Sequence, residues 1–196
     1  MEEPIAPCSF SDALHREADE TKVRYLDGVS DKALTGYFWG FAGDREHRYV
    51  AYDFRTSRGC DGPREILAKY QGYLQSDGYA VYESLVREVA SRLTHVGCWA
   101  HARRNFEEAL YTTSHPLLHE ALAAIAQLYD VEDHAAAWAD DARWALRQAE
   151  SRPILARLYE RLSQSRDVMR PSSKLSEAIA YSLARWPSLL RYLEAR

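Results

Sequence analysis

Residues 71–80 read QGYLQSDGYA, and our interpretation of the whole chain starts from this stretch. The run YLQ at residues 73–75 mixes apolar and polar side chains as a strand does. It leads into Asp77 and Gly78, a pair typical of a tight turn, and an amphipathic segment follows from Tyr79. The pattern predicts a strand that ends beside a carboxylate, then a turn, then a helix. A carboxylate in that position lies at the rim of a sheet, where binding sites collect.

A second acid, Asp19, lies upstream in the run ADET and also ends a strand-like segment. Carboxylate oxygens are the hard ligands that Mg²⁺ and Mn²⁺ prefer. Two acids at one sheet edge therefore indicate a divalent-metal site, of the kind that activates an attacking oxygen and stabilises a leaving one in phosphodiester chemistry. Such a site normally needs a third carboxylate. The plainer interpretation is that Asp77 is a turn residue and that Asp19 caps a helix.

The composition is that of an ordinary globular protein. The chain has 196 residues, 46% of them hydrophobic and 28% charged, which allows one sizeable core, alone or with an appended helical piece. No stretch approaches the roughly 18 apolar residues of a membrane helix, and the start MEEPIAPC lacks the features of a signal peptide. We therefore expect a cytoplasmic protein. Its three widely spaced cysteines are expected to be reduced thiols.

The turn signals predict the order of the strands and helices. Strand-like runs separated by short Gly/Asp turns, up to about residue 55, indicate an antiparallel meander of three strands. Helices then alternate with two more strands up to residue 111. This order predicts an α/β fold with a ribonuclease H-like mixed sheet and flanking helices. In that topology the first and fourth strands are neighbours, which would place Asp19 beside Asp77 although 58 positions separate them.

The remainder of the chain, residues 112–196, has apolar residues at helical spacing throughout. We therefore predict three regions. These are a lead or linker over residues 1–12, a ribonuclease H-like core over residues 13–111, and an all-helical insertion over residues 112–196. Residues 142–196 carry eleven bases against five acids, a surplus that could contact phosphate or form a solvated helical face.

Further candidate residues follow the fifth predicted strand. Cys98 and His101 form a C-x-x-H pair that is half of a zinc site, but no second pair at finger spacing follows. The alternative is a buried thiol at a strand end beside a hydrogen-bonded histidine. Six arginines are candidates for phosphate contact or for plain surface ion pairs. They are Arg103, Arg104, Arg143, Arg147, Arg157 and Arg161.

Four blocks of sequence, in order, resemble the DDE transposases of the IS66 insertion sequences. They are ADET at residues 18–21, TGYFW at 35–39, GYLQSDGY at 72–79 and CWAHARRNF at 98–106. The similarity covers roughly residues 13–195. It implies a ribonuclease H-like core with a helical insertion after its fifth strand, and Mg²⁺-dependent (or Mn²⁺-dependent) cutting and joining of transposon-end DNA. Asp19 and Asp77 would be the first two catalytic and metal-binding acids, and Cys98 and His101 would be site-adjacent.

The resemblance also implies parts that this chain lacks. The family's third acid, a Glu, lies in a helix just after the segment that matches residues 186–193, and the chain stops at Arg196. We therefore expect a piece truncated at both ends, with an incomplete core and little or no strand transfer of its own. One alternative is a non-enzymatic piece that contacts DNA or full-length transposase and interferes with it. Another is a metal-dependent nuclease, which would need Glu20 as a further ligand.

The missing helix has a consequence for packing. In the family it would cover one side of the sheet, so we expect apolar sheet surface to be exposed in this chain. Exposed apolar surface promotes association. The sequence therefore predicts that the purified chain aggregates or forms oligomers.

Overall fold

The computed structural model describes residues 15–26, 28–29, 32–44, 47–166 and 169–194. The predicted lead, residues 1–12, lies outside them. By packing, the chain divides into two compact units, Met1–His95 and Val96–Arg196. The three regions proposed from the sequence stay a prediction.

Five strands form a mixed sheet with the spatial order β3-β2-β1-β4-β5. The first strand pairs antiparallel with the second, the second pairs antiparallel with the third, and the first pairs parallel with the fourth. The predicted neighbourhood of the first and fourth strands is therefore confirmed, and the chain is of mixed α/β class. The strands are β1 (His15–Tyr25), β2 (Leu34–Ala42), β3 (Val50–Arg55), β4 (Gly72–Ser76) and β5 (Leu93–Gly97).

One predicted strand boundary is wrong, because Asp19 does not end a strand. β1 runs through it as one strand of 11 residues to Tyr25. The cause is the antiparallel register with β2, which places Asp19 opposite Gly40 and continues along the rest of the strand. The parallel pairing of β1 with β4 ends at Glu17, which lies opposite Gln75. β1 continues beyond that point because it stays paired with β2.

The core of the first unit follows the period of two that strands impose on side chains. Trp39 and Phe41 are fully buried on β2, while Phe38 between them is 43% exposed. Helices α1 (Asp61–Ile66) and α2 (Ala80–Glu88) belong to the same unit. Tyr82 of α2 packs in one apolar cluster with the buried residues of the strands.

The second unit is helical and has its own apolar cluster. Pro116 begins the longest helix of the described residues. The first N–H groups of a helix have no partner within it, so the N–H that proline lacks costs nothing there. The His115 Nδ1 atom accepts a hydrogen bond from the next N–H, that of Leu117, at 3.2 Å. No helix of the described residues is both long and apolar enough to cross a membrane. The helices are α3 (Trp99–Leu110), α4 (Pro116–His134), α5 (Asp140–Leu146), a π-helical turn (Arg147–Ser151), α6 (Arg152–Arg166), α7 (Lys174–Ala184), α8 (Trp186–Leu190) and a 3₁₀ turn (Arg191–Leu193).

Candidate metal centre

The two predicted acids meet because β1 and β4 run parallel and side by side. Glu17 lies opposite Gln75 in the register, and two residues further along each chain come Asp19 and Asp77. Side chains two residues apart on a strand point to the same side of the sheet. Carboxylate oxygens of Asp19 and Asp77 accordingly lie within 4.8 Å of each other. This pair of carboxylates is the candidate metal centre of the first unit.

Backbone N–H groups orient both carboxylates. The Asp77 Oδ1 atom accepts a hydrogen bond from Tyr79 N–H at 2.8 Å, across a turn in which Gly78 has a φ of +81°. That left-handed conformation favours glycine, so the Asp-Gly pair of the sequence is required by the turn. The Asp19 Oδ1 atom accepts from Glu20 N–H at 2.9 Å. The orientation of each carboxylate is therefore fixed by a hydrogen bond from a backbone N–H group one or two residues further along the chain.

The donor set fits a small divalent cation. Mg²⁺ binds oxygen ligands at about 2.1 Å, so two carboxylate oxygens on one ion are at most about 4.2 Å apart. The 4.8 Å bound on the separation of the two carboxylates is close to that requirement. Asp19 is exposed, so an ion from the solvent can reach its carboxylate. The assignment of Asp19 and Asp77 as metal ligands and catalytic acids stays a prediction.

Glu20, the residue after Asp19, points to the other side of the sheet. Its side chain is only 3% exposed, and its Oε1 atom accepts hydrogen bonds from Arg58, with Nε at 3.1 Å and with Nη2. Burial raises the pKa of Glu20, and the negative charges of Asp77 and Asp19 add to the rise, while the hydrogen bond from Arg58 opposes it. Because Arg58 already binds this carboxylate, the structure disfavours Glu20 as the further metal ligand that the nuclease alternative needs.

Cys98 and His101 lie at the start of α3, in the second unit. Cys98 is the residue that precedes the helix, and His101 is in its first turn. Burial raises the pKa of the Cys98 thiol, but hydrogen bonding with His101 outweighs it, so the net direction of the pKa is downward. Cys98 and Cys60 form no disulfide, and Cys8 lies outside the described residues. The contact agrees with the hydrogen-bonded histidine foreseen from the sequence, and a site-adjacent role for the pair stays a prediction.

Most of the arginines considered for phosphate contact lie in ion pairs. Arg104 and Arg157 have exposed side chains on α3 and α6. A contact between any of these arginines and DNA stays a prediction. Three of the pairs are Arg103 with Glu107, Arg143 with Asp140, and Arg161 with Glu120.

Arg147 differs from the other five arginines because it is 7% exposed. Its Nε and Nη2 atoms donate to the two carboxylate oxygens of Glu132 at 2.6 and 2.5 Å. A guanidinium bound in this two-pronged way has its charge matched within the fold. The structure therefore favours the ion-pair interpretation of Arg147 over phosphate contact.

Sequence reasoning missed Arg58, which lies in the connection between β3 and α1. A signal was available. Glu20 follows Asp19 on one strand, so the two side chains must face opposite sides of the sheet. A buried carboxylate needs a cation or several hydrogen-bond donors. The sequence does not say which of its 25 basic residues would supply them.

The chain matches a known protein family over most of its length. The family is described as the transposase IS66 family, and the match spans residues 11–196. Similar proteins include three uncharacterized proteins of Sinorhizobium fredii (strain NBRC 101917 / NGR234). They are y4qI, 32% identical over 187 residues, which are 90% of this chain and 35% of the relative; y4jD, 31% identical over 187 residues, 90% of this chain and 37% of the relative; and y4hP, 29% identical over 185 residues, 84% of this chain and 33% of the relative. The chain thus spans about a third of the length of these relatives. It belongs to the transposase IS66 family.

Proposed function

We propose that this chain supplies two of the carboxylates with which a DDE transposase cuts and joins transposon-end DNA. The observation that carries the proposal is the approach of Asp19 and Asp77 to within 4.8 Å, at neighbouring parallel strands of a chain from the IS66 family. Two adjacent carboxylates make a cation site of the kind that phosphodiester chemistry uses. The partner in this proposal is DNA, and the cofactor is Mg²⁺ or Mn²⁺.

The ribonuclease H-like fold is part of the same proposal. Two features of the sheet support it. The first three strands form an antiparallel meander, and the fourth adds parallel to the first, which gives the order β3-β2-β1-β4-β5. This topology is the one that brings the first and fourth strands together, and with them the two acids.

A bound Mg²⁺ would stabilise negative charge on the oxygens that attack and leave at phosphorus. The residues of this chain would position it. Asp19 and Asp77 would offer the oxygen ligands, while the N–H groups of Glu20 and Tyr79 orient those carboxylates. Each of these N–H groups occupies one lone pair of an Oδ1 atom, and a carboxylate has about four such acceptor sites. Arg58 would keep the Glu20 carboxylate paired and apart from the cation.

The third acid of a DDE site is proposed to come from the rest of the whole protein. The relatives are about three times as long as the matched stretch, so most of their sequence lies beyond it. Among the described residues of the first unit, Glu20 is the acid that directly follows Asp19 in sequence, and Arg58 already binds its carboxylate. We therefore expect the 196-residue chain alone to show little or no strand transfer.

The test is metal-dependent cleavage of labelled transposon-end DNA. The whole protein should cut with Mg²⁺ or Mn²⁺, and its Asp77→Asn variant should not. A matched control is Asp61→Asn, which changes an exposed acid of the same unit. Equal cleavage by the parent and the Asp77→Asn variant would refute the proposed role of this acid.

A second candidate function is non-enzymatic contact with DNA or with a transposase subunit. Exposed apolar side chains favour it. Phe38 is 43% exposed and faces Phe54, which is 39% exposed, across the β2–β3 pair with ring centroids 5.3 Å apart. Tyr52 on β3 is 73% exposed. Asp77→Asn separates the two functions, because it should leave binding to DNA or to a subunit intact.

A further inference from the structure

Arg58 is in contact with both segments that carry the candidate acids. Its first contact is with Glu20, the neighbour of Asp19. The guanidinium donates to Glu20 Oε1 through Nε and Nη2. The Glu20 side chain is only 3% exposed. The backbone N–H of the same Glu20 is the group that binds Asp19 Oδ1. Glu20 therefore links Arg58, through its side chain, to the backbone N–H group that orients Asp19.

The second contact of Arg58 is with Tyr79, which lies two residues after Asp77. The Arg58 Cζ atom is 4.0 Å from the centroid of the Tyr79 ring, a cation–π distance. In return, the Tyr79 hydroxyl donates to the carbonyl oxygen of Arg58 at 3.2 Å. The N–H of Tyr79 binds Asp77 Oδ1. One arginine thus connects the two backbone groups that hold the two acids.

The charge of Arg58 also matters. Three carboxylates, those of Asp19, Glu20 and Asp77, lie near one another, and Glu20 is the buried member. A buried carboxylate without a partner is costly, and its neighbours rearrange to avoid it. With Arg58 present, the Glu20 carboxylate is paired on its own side of the sheet and need not draw Asp19 or Asp77 out of place.

We propose that Arg58 is a positioning residue of the metal centre: it binds Glu20 and Tyr79 and thereby sets the places of Asp19 and Asp77. This inference rests on the proposed function, because it assumes that the two acids hold a divalent cation. It assigns Arg58 no contact with DNA or with the metal ion. Residues that orient metal ligands in this indirect way change metal affinity by about 10–100-fold when they are replaced.

The test is the affinity of the 196-residue chain for Mn²⁺, measured by the free-ion electron paramagnetic resonance signal. We compare the parent with Arg58→Ala and with Arg64→Ala, which changes an arginine of the same unit that pairs with Glu88 and Asp61. The sign of the change is informative. Removing a cation near an acidic site should strengthen Mn²⁺ binding if charge alone matters. A positioning role predicts at least about tenfold weaker binding for Arg58→Ala. It also predicts no change for Arg64→Ala.

A second variant keeps the test decisive if Arg58→Ala does not fold. Arg58→Lys keeps a cation for Glu20 but loses the two-pronged contact and the flat stacking on Tyr79. It should melt cooperatively and still bind Mn²⁺ several-fold more weakly than the parent. Unchanged or tighter Mn²⁺ binding in the folded variants would overturn the inference, even if their melting temperatures fall.

The same measurements separate failure of the inference from failure of the proposed function. If the parent binds Mn²⁺ and Asp77→Asn abolishes that binding, the metal centre stands whatever the Arg58 variants do. If the parent binds no Mn²⁺, or Asp77→Asn binds as well as the parent, the proposed metal centre fails and the role of Arg58 fails with it.

Discussion

Asp19 and Asp77 present carboxylate oxygens within 4.8 Å of each other, although 58 positions separate them in the chain. The parallel pairing of β1 with β4 produces this proximity, and each carboxylate accepts a hydrogen bond from a nearby backbone N–H. A cation bound between two carboxylates this close would offset the repulsion between their negative charges. This proximity is the observation behind the proposed metal centre, and the assignment of the two acids as a ligand set stays a prediction.

The burial of Glu20 should appear in the pH dependence of stability. Burial raises its pKa in the folded state above the ordinary value of 4.5, so the folded protein binds more protons than the unfolded chain just above that pH. The free energy of unfolding contributed by Glu20 is thus largest at low pH and falls as pH rises through the folded pKa. Glu20→Gln cannot ionise and lacks this slope.

The measurement is urea unfolding of the parent and of Glu20→Gln across a pH series that starts below the ordinary pKa of Glu20. The stability of the parent minus that of the variant should decrease as pH rises, and then become constant. A difference that increases with pH would mean that Glu20 has a lowered pKa in the folded protein, contrary to the burial argument.

The parallel strand beside the acids should be sensitive to loss of packing. Leu74 on β4 is fully buried, whereas Leu26, just after β1, is 70% exposed. Leu74→Ala removes buried methyl groups and leaves a cavity, which typically lowers the free energy of unfolding by about 2–5 kcal/mol. Leu26→Ala should change it by less than about 0.5 kcal/mol. Urea unfolding of both variants is the check, and similar losses would contradict the assigned core.

The helical unit offers a matched pair of arginine substitutions. Arg147→Ala would leave the Glu132 carboxylate without its two-pronged partner in a mostly buried place, so we expect a loss of about 3 kcal/mol in unfolding free energy. Arg161 forms a similar pair with Glu120, but at the surface, where water screens it. Arg161→Ala should leave thermal stability nearly unchanged. Equal effects would show that the two ion pairs have the same surroundings.

Exposed aromatic side chains on β2 and β3 should make the chain associate with itself. We expect the double variant Phe38→Thr/Tyr52→Thr to shift the sedimentation profile toward monomer, since threonine suits a strand and removes apolar surface. Tyr111→Thr, which removes a ring that is 91% exposed in the second unit, is the control. A parent that sediments as a monomer at all concentrations would contradict the prediction.

The sequence predicted much of the region around Asp77, because local signals agree there. An apolar-polar run, an Asp-Gly turn and an amphipathic segment became β4, a turn with positive φ at Gly78, and α2. Each of these signals acts over only a few residues. The parallel neighbourhood of β1 and β4 followed from the order of elements, which restricts the possible topologies.

Long-range pairing could not be predicted in the same way. β1 continues past Asp19 because β2 pairs along it, and no signal within β1 shows the extent of that pairing. The contact between Glu20 and Arg58 joins positions 38 residues apart, and a turn arginine resembles many others in sequence. The burial of Arg147 depends on Glu132 from another helix, so spacing on its own helix gave no sign of it.

The most direct test of the metal centre is Mn²⁺ binding by the chain and by its Asp77→Asn variant, which keeps the shape of the side chain and an oxygen acceptor for Tyr79 N–H. Asp61→Asn is the control, since Asp61 is an exposed acid of the same unit. We predict that Asp77→Asn weakens Mn²⁺ binding at least about tenfold, equivalent to about 1.4 kcal/mol, while Asp61→Asn binds as the parent does. Equal Mn²⁺ affinity in the parent and the Asp77→Asn variant would contradict the assignment of Asp19 and Asp77 as a metal centre.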